Sequence, residues 1–243
     1  MKRKVAVLHT STVFVNDDLI LRNLFAEILP DVELLEFVDT DLLATVTREG
    51  CIAPAAVRRI LHLAQAAEQA GAAVILSACS AIGPAIPTAR HAVSIPIVPI
   101  DEPMAQRAIH TAEEIGVLAT LGLALGPMVD LLEQQARAAH RPICIHRMLV
   151  PDAFDALEAG RQEVHDALVI EAARELAAVA DVIVPAQVGL ARLVPRLHAA
   201  TGRKVFHGPR LAVNYVKQLL AQMPDKPDPI LTDQVAAEYA GAY

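Results

Sequence analysis

The sequence predicts an α/β fold of two similar lobes, each a parallel sheet flanked by helices, with a cleft between them. Three observations predict it. Short apolar runs alternate with longer amphipathic, Ala-rich stretches, the pattern of βα units. The 243 residues are 54% hydrophobic but only 3% aromatic, so the core is built from Ala, Val, Leu and Ile, the filling of buried parallel strands under helices. The chain also repeats itself. VILSACSAI from Val74 matches VIVPAQVGL from Val182, VAVLHT ending at Thr10 matches IGVLAT ending at Thr120, and VPIDEP ending at Pro103 matches KVFHGP ending at Pro209. The offsets are 108, 110 and 106 residues, in the same order along the chain.

The elements follow in order. The start, MKRKVAVLHT, has an apolar stretch too short for a signal peptide, and polar Asn16, Asp17 and Asp18 follow it closely, so it reads as a first strand, Val5–Leu8. Further strands are predicted at Glu33–Phe37, Ala73–Ser77, Ile97–Ile100, Ile115–Ala119, Ile143–Met148, Val182–Pro185 and Lys204–Phe206. Amphipathic stretches predict helices at Asp17–Ile28, Pro54–Ala70, Glu102–Thr111, Pro127–Ala139, Gln162–Ala178, Gly189–Ala199 and Pro209–Gln222. The first lobe is expected to hold residues 1–101 with 207–222, and the second 102–206. The Pro- and Asp-rich stretch MPDKPDPILTDQ opens a C-terminal arm, 223–243.

Bulk properties exclude several roles. A net charge of -7 argues against nucleic acid or an anionic membrane as partner, since both demand clustered Lys and Arg. No apolar run reaches the ~18 residues of a membrane span. Three cysteines without paired spacing point to a reduced, cytoplasmic protein. GLALG from Gly122 lacks the spacing and the Lys of a phosphate loop. Cys144 and His146, one residue apart on a strand, lack zinc-site spacing, so neither metal nor organic cofactor is expected. Ala/Leu-rich helical surfaces and the arm allow a homodimer or a higher homo-oligomer.

In an open parallel sheet, ligands bind at the carboxyl ends of the strands. The chemistry is therefore expected at His9, Thr10 and Ser11, at Asp39, at Cys79, Ser80 and Ala81, at Asp101, at Thr120, at Gln187 and Val188, and at His207. This set is rich in hydroxyls and helix-start N–H groups and poor in cations, which suits a small carboxylate. Arg210 is the cation expected nearest the cleft. Cys79 follows the apolar run AVILSA and precedes a helix start, where the helix dipole and unpaired N–H groups stabilise a thiolate. If the first strand lies beside the third, His9 neighbours Cys79 and could tune the thiol or shuttle a proton. Cys51 and Cys144 read as structural, and His165 as a structural residue on a helix.

The motif SACSA at Ser77–Ala81 resembles the first cysteine loop of the aspartate/glutamate/hydantoin racemases, and IGVLAT at Ile115–Thr120 resembles the strand that opens their second half. The resemblance spans roughly residues 4 to 216. It implies a duplicated, pseudo-two-fold fold and cofactor-independent chemistry in which two cysteines face each other across a substrate carboxylate. Carried onto this chain, Cys79 is the first thiol, and Ser80 and Thr120 hold the carboxylate. The second cysteine falls on Gln187, a departure, because an amide hydrogen-bonds but does not take up or deliver protons at neutral pH. One thiol leaves several outcomes: racemase or isomerase chemistry with a non-thiol second base such as His207, covalent addition with isomerisation, protonation after decarboxylation, or nucleophilic hydrolysis with His9 as base. A non-catalytic carboxylate-binding module is the alternative outside enzymes.

Overall fold

A computed structural model describes residues 2–11 and 19–224. Strands β1 (Lys4–His9), β2 (Glu33–Val38), β3 (Ala72–Ser77) and β4 (Ile97–Pro99) form one sheet in the order β2-β1-β3-β4. Strands β5 (Glu114–Ala119), β6 (Cys144–Leu149), β7 (Val182–Pro185) and β8 (Lys204–Val205) form a second in the order β6-β5-β7-β8. The second order is the first with every number raised by four, and all pairings are parallel. The sequence matches near offset 108 thus fall on β1 with β5, β3 with β7, and the ends of β4 with β8.

The helices are α1 (Ile20–Ile28), α2 (Leu42–Glu49), α3 (Pro54–Gln69), α4 (Ile86–Arg90), α5 (Glu102–Ile109), α6 (Gly122–Ala138), α7 (Pro151–Glu158), α8 (Gln162–Leu176), α9 (Val194–Thr201) and α10 (Gly208–Gln222). Helices α2 and α7 were not legible in the sequence. Each is eight residues long and buries only two side chains, too few to print a helical period. The single helix expected over Gly189–Ala199 is instead a 3-10 segment, Val188–Leu193, followed by α9. Pro195 in the first turn of α9 explains the break, because it has no N–H to continue a ladder. The first lobe repeats the device: a 3-10 segment at Ser80–Ala85, then α4 with a proline in its first turn. Helix α6 starts at Gly122, directly after its strand, and carries Pro127 internally rather than beginning at it. The predicted C-terminal arm from 225 onward and the start of the first predicted helix lie outside the described residues.

Both sheets are packed on both faces. On the first, α1 and α10 cover Val5, Val7, Val74 and Leu76, while α2 and α3 cover Ala6, Leu8 and Ile75. On the second, α5 and α6 cover Ile115, Val117 and Ala119, while α8 and α9 cover Leu118 and Ile183. Burial of each such Val, Leu or Ile contributes about 1.5–3 kcal/mol. Gly116 marks the closest approach of α8 to β5, where a Cβ would lie 2.6 Å from Leu176 Cγ and 2.9 Å from Ala180 Cβ. Cys51 and Cys144, read as structural, are both exposed, and β6, which carries Cys144, is an edge strand.

Candidate active site

Parallel strands send all their carboxyl ends to the same side of a sheet. Here the ends of β1, β3, β5 and β7 meet around one cavity of about 330 Å³. His9, Thr10 and Ser11 line it after β1, Cys79, Ser80 and Ala81 after β3, Thr120 after β5, and Gln187 and Val188 after β7. His207 does not line it. Its imidazole instead accepts from the Arg210 backbone N–H at 3.2 Å and caps α10, because β8 is an edge strand only two residues long. Arg210 does not line the cavity either and pairs with Glu27 at 2.6 and 2.9 Å. A shallower recess of about 470 Å³ beside Glu133, Arg137 and His140 holds no thiol and lies away from the strand ends.

Cys79 and His9 are brought together as the strand order requires. β1 pairs with β3 up to Leu8 and Ser77, so His9 and Cys79 stand one and two residues past the last pair. Cys79 is extended (φ -131°, ψ 118°) and heads the 3-10 segment. Burial pushes its thiol up from the ordinary value, and the Asp101 carboxyl adds to this. The Thr10 hydroxyl and the Ala81 and Ile82 N–H groups pull down but do not prevail. The expectation of an acidified thiol is therefore reversed: the 3-10 start offers N–H groups, yet desolvation outweighs them.

The two halves use matching positions differently. In the first, the Cys79 thiol is hydrogen-bonded with the Thr10 hydroxyl. In the second, Gln187 Oε1 accepts from Thr120 N–H at 2.6 Å, Thr120 Oγ1 at 3.2 Å and Leu121 N–H at 3.3 Å. Three donors on one oxygen define which end of the amide is which, since an NH2 group there would face donors only. Gln187 thus fills, with its own carbonyl, the anion cradle formed by the amides before α6.

Two buried titratable groups stand here, His9 in the cavity lining and Asp101 beside Ser80. His9 is 2% exposed, neither ring nitrogen has a hydrogen-bond partner among the described residues, and Nε2 is 3.7 Å from Glu36. Burial lowers its pKa below 6.5, against the pull of Glu36, so the ring is neutral at neutral pH. Asp101 is pushed up to about 7 by burial, with the Ser80 hydroxyl opposing.

Three features escaped sequence reading. His165 and Arg192 line the cavity, from α8 and from the 3-10 segment after β7. Asp166 joins them: its carboxylate takes Arg192 in two bonds of 2.5 and 2.8 Å, His165 Nδ1 at 2.9 Å and Arg196 at 2.6 Å. Burial would raise this carboxyl, but the bonds from Arg192 and His165 hold it down at about 2. Third, Leu43, Phe154, Leu157 and Leu190 give the cavity an apolar wall. Arg192 could have been found by counting five residues on from Gln187, within the 3-10 turn. Nothing local in EVHDAL marks His165 as facing a cavity.

A family model of Asp/Glu/hydantoin racemases matches residues 18–216, which takes in every strand but β1 and every cavity residue but His9, Thr10 and Ser11. The chain belongs to this family. It is accordingly an isomerase-type enzyme of the Asp/Glu/hydantoin racemase family, with the two-lobed α/β fold of that family's structures. Allantoin racemase from Klebsiella pneumoniae superposes with a TM-score of 0.64 at 21% identity, over 93% of this chain and 95% of that one. Glutamate racemase from Francisella tularensis, in complex with D-glutamate, gives 0.68 at 15% identity, over 94% and 86%. Allantoin racemase from Pseudomonas fluorescens gives 0.58 at 18%, over 93% and 99%. No curated protein sequence matches the chain. Among the described residues, no helix of this racemase-family chain is long and apolar enough to cross a membrane.

Proposed function

We infer that this protein is a cofactor-independent racemase or isomerase acting at the carbon alpha to a carboxylate, with two unlike acid–base groups: the Cys79 thiol and the His165 imidazole. The observation that carries the reading is that both line one cavity, while Gln187, at the position of the expected second thiol, is tied by its carbonyl to Thr120 and Leu121. His165 Nδ1 bonded to Asp166 is the arrangement of a positioned base: the donated proton sets the tautomer and leaves Nε2 to act.

The substrate is a small carboxylate with an apolar substituent. Its carboxylate is received by the N–H groups at Ser80 and Ala81 and by the hydroxyls of Thr10 and Ser11. These donors also stabilise the enediolate that forms when the alpha proton leaves. Its substituent lies against Leu43, Phe154, Leu157 and Leu190. Arg192, already bidentate on Asp166, orients that carboxylate rather than acting as a free cation. The raised thiol suits a group that delivers a proton. When the thiol gives its proton to the alpha carbon a thiolate remains, and a later alpha proton taken up at sulfur restores the thiol. The exposed free cysteines Cys51 and Cys144 suit a reducing compartment, and with it a cytoplasmic location.

The test is alpha-proton exchange in deuterated water, run separately from each enantiomer of 2-substituted carboxylates with alkyl or aryl substituents. The expected result is exchange from both enantiomers in the wild type. Cys79→Ser should lower exchange from one enantiomer at least a hundredfold, and His165→Gln from the other. Wild-type exchange rates from both enantiomers in Cys79→Ser would remove the catalytic thiol and with it the reading.

A further inference from the structure

The amino end of the second sheet carries a group of donors that the cavity does not use. Cys144 and His146 are the first and third residues of β6, so the two-residue period of a strand puts them on one face. Parallel register sets Glu114 of β5 opposite Cys144. His146 Nε2 then lies 2.6 Å from Glu114 Oε2 and 3.8 Å from Cys144 Sγ. One ligand atom from each of the three lies within 4.8 Å of the other two. Because β6 is an edge strand, the group is open to solvent: Cys144 is exposed, and the side chains of Glu114 and His146 are 47% and 29% accessible.

We propose that Glu114, Cys144 and His146 bind a thiophilic divalent cation of the zinc type, with water as the fourth ligand. Thiolate, imidazole and carboxylate together are a donor set that selects such an ion over magnesium or calcium. The geometry agrees. Bonds of about 2.3 Å to sulfur and 2.0 Å to nitrogen at a tetrahedral angle hold the two atoms about 3.5 Å apart, against 3.8 Å observed. Nitrogen and oxygen need about 3.3 Å, so Glu114 must open its 2.6 Å contact, which an exposed glutamate does by side-chain rotation. The site is remote from the cavity. Six residues of β5 and its continuation separate Glu114 from Thr120, about 20 Å at ~3.3 Å each. The bound ion would tie the edge strand β6 to β5. Cys144 and His146 alone lack zinc spacing, and the third donor lies far upstream in the sequence.

The experiment is titration of the intact protein with Co2+, whose tetrahedral thiolate complexes show a near-ultraviolet charge-transfer band and visible ligand-field bands. The expected result is saturation at one equivalent, loss of the bands on adding Zn2+, and no band in Cys144→Ser. His146→Ala and Glu114→Gln should each weaken binding at least tenfold, while Cys79→Ser should leave the titration unchanged. Absence of a thiolate–cobalt band in the wild type, or a band that survives Cys144→Ser, would overturn the proposal.

Discussion

Asp101 is the residue whose environment speaks most directly to a measurable property. It is 8% exposed, and burial places its carboxyl at about 7 against 3.8 in an unfolded chain. Between those two values the folded chain holds a proton that the unfolded chain has released. Stability is therefore highest below pH 3.8, as far as this group is concerned, and falls as pH rises toward 7. The full difference corresponds to about 4 kcal/mol. Asp101→Asn should remove this slope: denaturant unfolding should show the variant more stable than wild type at pH 8 by up to ~4 kcal/mol, and nearly equal at pH 4. A parallel pH dependence in both proteins would show that the carboxyl is ionised at little cost. The same low dielectric raises the Cys79 thiol, so near neutral pH the free site holds a neutral thiol beside a carboxyl that is only partly ionised. Sequence position alone led to the opposite expectation for Cys79, because a helix-start rule counts N–H groups and knows nothing of how much water the fold removes.

At the scale of elements, the strand-to-3-10-to-helix unit recurs after β3 and after β7 and carries Cys79 and Gln187 at matching places. Its shape follows from proline placement, which stops an α-helix from forming directly at the strand end. Helix packing on the second sheet is tight at Gly116, over which Leu176 and Ala180 close. Gly116→Ala would put a methyl group inside contact distance of two fixed neighbours. It should destabilise the protein by about 2 kcal/mol, the usual cost of overpacking a filled core, read as a lower urea midpoint with unchanged slope. Far-ultraviolet dichroism should stay unchanged in native buffer. A neutral effect would mean that α8 can shift off β5.

For the whole molecule, the duplicated topology means that one cavity receives two versions of one anion cradle. The first, around Thr10, Ser11 and Cys79, lines the cavity with no side-chain amide across it. The second, around Thr120 and Leu121, is filled by Gln187. Under the proposed function, this arrangement favours a substrate with one carboxylate over one with two. Gln187→Ala should release the Thr120 and Leu121 amides and the Thr120 hydroxyl. Calorimetric titration with a short dicarboxylate should then show affinity at least fivefold higher than wild type, while a monocarboxylate changes little. Equal gains for both ligands would mean that the variant only enlarges the cavity.

What the sequence by itself determined was the duplicated α/β frame and the placement of Cys79, Ser80, Thr120 and Gln187 at strand ends. These depend on local periodicity and on short motifs repeated at a near-constant offset, which one strand of text can carry. What only the tertiary structure decided was which distant residues meet. His165 and Arg192 reach the cavity because α8 and a 3-10 turn pack against the second sheet. Glu114 meets Cys144 because parallel pairing erases the separation between two strands. His207 leaves the cavity because its strand lies at the edge. Protonation was decided there as well, since a pKa depends on how completely the folded chain excludes water, and that quantity is a property of packing in three dimensions.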